Sequence, residues 1–244
     1  MASSPAMPAA SPQQTSNAAP LVDPRAPRRL LVETLAVLFV TVGCAMSANL
    51  LSGPIVVPLG VTSLLLPLAY LVLEGRARHR TLADVGLRRH GFVEGVRSNG
   101  WLFVLVAVVL QTVPVALASL FVPDVLGHII GRIPSFGDLL VLIPLVLVLT
   151  LREELVFRGL FQERVGWFVG QATAIAGVSA LFALTHIAAG IVAVVAFDLL
   201  SVFADSLVFG AIYSRTRSVY VAWAAHAGAD LVGLAVLSVA AAAT

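Results

Sequence analysis

An all-helical, polytopic transmembrane bundle is the fold class this sequence predicts, and three observations predict it. Of 244 residues, 59% are apolar and only 11% charged, where a soluble domain is about one quarter charged. The mean hydropathy is +0.98. Apolar runs at or near the ~20 residues that span hydrocarbon recur at 30–52, 55–73, 99–122, 137–165, 171–189, 191–213 and 218–241. Seven spans follow, or eight if one run is split.

Residues 1–29 are rich in Ala, Pro, Ser and Gln, with no apolar run before Leu30. They are expected to be a disordered tail. The tail has neither the basic leader nor the short apolar core of a cleavable signal, so the first helix serves as an uncleaved anchor. Residues 30–244 then form one domain. In the second run Pro54, Pro58 and Pro67 allow a broken or re-entrant helix. The stretch 74–98 is the one long polar loop, carrying Arg76, Arg78, Arg80, Arg88, Arg89 and Arg97. The connection 123–136 bears only Asp124 and Arg132, and 189–191 bears no charge.

All 15 basic residues are arginine. Their bias places the N-terminus, the 74–98 loop and the turns near 166–170 and 214–217 in the cytoplasm, as expected of a bacterial plasma-membrane protein. A formal charge of +2 gives no argument for a nucleic-acid partner. The single cysteine, Cys44, excludes an intrachain disulfide and a cysteine metal cluster.

The fourth run changes character halfway. Residues 137–151 are nearly all apolar, whereas 152–165 mix Arg152, Glu153, Glu154, Arg158, Gln162, Glu163 and Arg164 with Phe157, Leu160 and Phe161. This half is expected to be amphipathic, emerging at the cytoplasmic face and leaving Glu153 within reach of water from that side. Glu154 and Arg158, four apart, suit an ion pair. Glu153 points about 100° away, toward a cavity.

Ionisable groups inside lipid cost several kcal/mol and tend to mark functional sites. His186 follows Phe182 by one helical turn. With a turn at Gly166–Gly170, Glu153 and His186 are equidistant from it and lie level on adjacent antiparallel helices. His226 and Asp230, four apart, share a face of the last helix. Asp205 is level with His226 across the turn at 214–217, and Asp198 lies seven residues before it. These aspartates are expected to line the cavity, pair with arginines or cap a helix.

The pattern Glu-Glu-x-x-x-Arg (153–158), Phe-x-x-x-His (182–186) and His-x-x-x-Asp (226–230) resembles the CPBP intramembrane proteases, which include the type II CAAX prenyl endopeptidases and bacteriocin-processing, Abi-like proteins. Residues 82–89 and 203–223, with Gly210, Tyr213 and Arg215, look similar too, and the motif-bearing core covers 137–240. The resemblance implies hydrolysis of a peptide bond of a membrane-associated protein or peptide near the cytoplasmic face. It makes Glu153 the general base, with His186 holding the attacking water and His226 with the residue at 230 stabilising the oxyanion. The residue types suit that chemistry: a carboxylate in an apolar pocket takes up a proton more readily, and donors aimed at developing charge lower the barrier.

Asp230 departs from the asparagine frequent in the endopeptidases. An ionised aspartate cannot donate to an oxyanion, so it either orients and charges His226 or stays protonated. A metal-based version, with Zn²⁺ held by Glu153, His186 and His226, is the alternative; the resemblance favours the metal-free glutamate version. Glu154, Arg158, Phe182 and Asp205 are supporting residues. Two other classes remain: a proton- or ion-coupled secondary transporter, and a non-catalytic scaffold that binds a partner helix.

Overall fold

The structure is a computed structural model that describes residues 28–121, 124–132 and 139–242. Residues 1–27 of the expected tail lie outside the described residues. Every described element is helical. Helix α1 (Arg28–Leu50) takes in Arg28 and Arg29, which the sequence reading left to the tail, and pairs with α2 (Val56–Ala77). A 3₁₀ turn at Leu82–Val85 leads to α3 (Phe92–Ser98). Then α4 (Gly100–Val104) continues through a π-helical stretch, Leu105–Val109, into α5 (Leu110–Phe121), followed by α6 (Asp124–Arg132). Helix α7 (Leu139–Glu154) runs through a second π-helical stretch, Leu155–Gln162, into α8 (Glu163–Val169). Helices α9 (Gln171–Leu184), α10 (Val192–Thr216) and α11 (Val219–Ala242) complete the bundle.

All seven apolar runs are helical over most of their length. Five described helical segments are long and apolar enough to cross a membrane: Arg28–Leu50, Val56–Ala77, Gly100–Ala118, Val192–Thr216 and Val219–Ala240. The expected count of seven to eight spans is not confirmed by these five. Helix α7 has 16 residues before its π-helical continuation, and α9 has 14.

Other boundaries shift for physical reasons. Helix α2 is unbroken. Pro58 falls in its first turn, where no N–H is needed, and only Pro67 lies in its interior. The arginine loop is half structured, because α2 extends to Ala77 and α3 occupies Phe92–Ser98. The connection after 123 is α6 rather than a plain loop. The turn expected over Gly166–Gly170 shrinks to Gly170, whose φ of +82° is a conformation open mainly to glycine; Gly166 stays inside α8.

The amphipathic half of the fourth run does not emerge into water. Val156 through Gln162 are all buried, as are Glu163 and Arg164. This stretch is wedged between two apolar cores. One gathers Leu102, Val106, Phe209, Ile212 and Tyr213 with Val219, Ala222 and Ala225; the other gathers Leu38, Val42, Leu71, Phe157, Leu160, Phe161 and Phe182. Glycine permits the wedge at one point: a Cβ on Gly159 would stand 2.5 Å from the Val85 carbonyl oxygen. Outward rows such as Val32, Phe39, Leu64, Leu65, Leu73, Val148, Leu200 and Val239 are exposed, as a surface solvated by lipid requires.

Candidate active site

Three consecutive charged residues, Arg152, Glu153 and Glu154, close α7. Glu154 is fully buried and ion-paired with Arg158, the Nε–Oε2 distance being 3.2 Å. Arg158, equally buried, donates to Ser206 Oγ on α10 at 2.9 Å and lies over the Phe182 ring. Glu154 also accepts from His226 Nδ1 at 2.9 Å. Glu153 turns instead to the other side of the ring, its Oε2 3.8 Å from His226 Nε2.

His226 sits seven residues along α11 from Val219, about 10 Å along the helix at 1.5 Å per residue. Its ring stacks on Phe209, with centroids 4.4 Å apart and planes 20° from parallel, and meets the Phe182 ring nearly edge-on. Bonding to Glu154 on one nitrogen and stacking on Phe209 fix its orientation. Asp230 Oδ1 lies 3.7 Å from Nε2, beyond hydrogen-bond reach. The carboxylate that orients His226 is thus Glu154. The sequence reading gave Glu154 only the pairing with Arg158 and offered Asp230 for this task.

His186 is not inside a helix, as expected, but two residues beyond the last residue of α9, in the turn toward α10. Asn49 of α1 holds that turn by donating to the Thr185 carbonyl at 2.8 Å. The imidazole Nδ1 lies 3.2 Å from the Phe182 carbonyl and from Thr185 Oγ1. A carbonyl can only accept, and the Thr185 hydroxyl itself donates to Phe182. The proton therefore belongs on Nδ1.

Glu153, His186, His226 and Asp230 all line one cavity of about 410 Å³. Asp198 and Asp205 line it as well. Asp205 accepts from Gln111 Nε2 at 3.0 Å, and Asp198 lies 3.8 Å from His128. The remaining wall is mainly apolar, including Leu110, Pro114, Val115, Leu142, Val146, Phe197, Leu234 and Leu237. Along α11 the lining runs from His226 to Leu237, along α10 from Phe209 back to Phe197, and along α7 from Glu153 back to Leu142. All three directions lead away from the α10–α11 turn at Arg217.

The arginine-rich end is closed by a polar lattice. Glu74 accepts from both terminal nitrogens of Arg164, at 2.7 and 3.0 Å, and from Arg80 and Arg78. Glu163 accepts from Tyr213, Trp167 and Arg217, and Gln162 donates to the Gly210 carbonyl. Glu153 opens on the cavity. Gln111, Ser206, Phe209 and Asn49 are contacts that reading missed. A lone glutamine or asparagine in an apolar run was the available signal for two of them; nothing in the sequence singles out Ser206 or Phe209.

Among the described residues no three His, Cys, Asp or Glu side chains are gathered closely enough to hold a metal ion.

A helical bundle with outward apolar rows, and with acids and imidazoles around one shared cavity, defines the chain as an integral membrane protein with a candidate hydrolytic centre. Residues 135–232 match the family model of Rce1-like type II CAAX prenyl endopeptidases, a match that supports the CPBP/CAAX protease family. The segment contains Glu153, His186, His226 and Asp230, and the family implies a peptidase. No curated protein and no solved structure matches the chain.

Proposed function

We propose that this protein is an intramembrane endopeptidase hydrolysing a peptide bond of a membrane-associated protein or peptide, with Glu153 as general base. The observation that carries the proposal is the convergence of Glu153, His186, His226 and Asp230 on one cavity. A water held between Glu153 and the Nε2 lone pair of His186 attacks the scissile carbonyl carbon while its proton passes to the Glu153 carboxylate. The carbonyl oxygen becomes an oxyanion and accepts a hydrogen bond from His226 Nε2–H. With Nδ1–H donating to Glu154, a ring protonated on Nε2 is a cation, and Asp230 offsets its charge from the cavity side. Glu153 then returns the proton to the leaving nitrogen as the C–N bond breaks.

This mechanism uses only the protein's own groups, the version that the resemblance to the CAAX endopeptidases favours over a zinc centre. An N-terminus on the cytoplasmic side of a bacterial plasma membrane is part of the same reading, on the strength of the arginine bias.

The test is Glu153→Gln in proteoliposomes, assayed by mass spectrometry on a panel of membrane-anchored peptides. Gln matches Glu in size and keeps a polar contact to His226, so folding is expected to survive and cleavage to fall at least about 100-fold. Cleavage by the variant at the wild-type rate sinks the proposal. Full activity after exhaustive chelation is expected; loss restored by Zn²⁺ alone selects the metal version.

A further inference from the structure

Arg152, the residue before Glu153, lies on the side of α7 facing α2, roughly opposite Glu154. Its guanidinium donates to the backbone carbonyl of Ser63 and, at 3.3 Å, to that of Leu64. Inside a helix a carbonyl normally accepts from the N–H four residues on. For Ser63 that position is Pro67, which has no N–H and lies within α2. The proline leaves an acceptor orphaned on a membrane helix, where an unmet backbone group is strongly disfavoured, and Arg152 supplies the missing donor across the helix interface.

We infer that Arg152 is a positioning residue for Glu153, acting through the carbonyl that Pro67 frees. Successive residues on a helix are about 100° apart. Arg152 tethers α7 to α2 on one flank, and Glu154 ties it to Arg158 and His226 on the other. Glu153 projects between these two anchors into the cavity, so together they set the rotation of α7 and thereby the height and direction of the attacking carboxylate. The inference rests on the proposed role of Glu153. A misplacement of about 1 Å at a reacting group can cost 100-fold in rate, so a tether one residue away acts on turnover rather than on substrate affinity.

The experiment compares kcat and KM for wild type, Arg152→Met, Arg152→Lys, Pro67→Ala and the Arg152→Met/Pro67→Ala double variant, on one cleaved peptide in proteoliposomes. Arg152→Met is expected to lower kcat about tenfold or more with KM within about twofold. Arg152→Lys keeps a donor and a charge, and is expected to retain most of the turnover. It also keeps the question open to refutation should the Met variant misfold. Pro67→Ala restores an intrahelical donor to Ser63, so the loss caused by Arg152→Met is expected to shrink at least threefold in that background. Equal losses in both backgrounds, a loss confined to KM, or a Lys variant as poor as Met overturns the inference. Glu153→Gln is run alongside. If it is inactive while the Arg152 and Pro67 effects simply multiply, only the positioning role falls; if it is fully active, the parent reading falls too.

Discussion

Two polar regions share this bundle and are built to opposite standards. In the arginine-rich lattice Glu74 accepts four hydrogen bonds between 2.7 and 3.0 Å, and Glu163 accepts from three side chains. In the cavity Glu153 and Asp230 stand 3.8 and 3.7 Å from the same imidazole nitrogen, too far for a hydrogen bond. Saturated groups hold helices together. Groups held near one another without bonding keep acceptors and donors available to a substrate. Glu154 belongs to both regions, since its carboxylate pairs with Arg158 and orients His226.

The largest expected effect separates the two regions at one helical turn. Arg158→Met removes one partner of a fully buried pair and leaves the Glu154 charge with His226 as its remaining ionic contact. A loss of about 3–5 kcal/mol in stability follows from breaking such a pair. Glu153→Gln, at a position 24% exposed and not hydrogen-bonded to the imidazole, is expected to change stability by under about 1 kcal/mol while removing activity. Denaturant unfolding in detergent, read beside cleavage, checks the contrast. A Glu153→Gln protein as unstable as Arg158→Met erases the distinction between lattice and cavity.

Next in size is Gly159, where the lattice side is tightest. An alanine there places its Cβ 2.5 Å from the Val85 carbonyl oxygen and 3.2 Å from a Val219 methyl. Both neighbours are fixed: Val85 is buried in the 3₁₀ turn, and the Val219 amide is bonded to the Gly86 carbonyl. Gly159→Ala is expected to cost about 1–3 kcal/mol by overpacking, measured as a lowered unfolding midpoint. An unchanged midpoint means that the turn at Leu82–Val85 is free to retreat, and the close packing at this end is then not needed for stability.

The sequence made the helical class, the position of most runs and the four cavity residues legible, because membrane helices announce themselves by apolar length and ionisable groups stand out against that background. Three features were not legible. The turn between α8 and α9 falls at Gly170 because only that glycine takes the left-handed φ, a choice spacing arguments could not make between Gly166 and Gly170. The burial of Gln162, Glu163 and Arg164 was hidden because polar side chains on a helix read as a solvated face. Here each meets a partner from a distant segment: the Gly210 carbonyl, Arg217 and Glu74. His186 was read as helical because nothing at Thr185 or His186 signals a stop; the turn there is held instead by Asn49, 136 residues earlier in the chain.

The smallest effect tests a third kind of polar group, paired yet open to water. Asp84 caps the Leu82–Val85 turn, accepting from the Thr81 amide at 2.7 Å and from the Thr81 hydroxyl at 2.8 Å. The backbone bond first, and the hydroxyl second, lower its pKa from the ordinary 3.8. A carboxyl whose folded pKa is depressed contributes its stability in full above the unfolded value and loses it as pH falls through the folded one. Asp84→Asn is therefore expected to lower stability at pH 6, by no more than about 1 kcal/mol for an exposed cap, and the gap from wild type to close at acid pH below the usual aspartate range. Unfolding midpoints of both proteins across that range measure it. A gap that persists at acid pH means the cap works through shape rather than charge. In that case Asp84 resembles the lattice carboxylates less than its hydrogen bonds suggest.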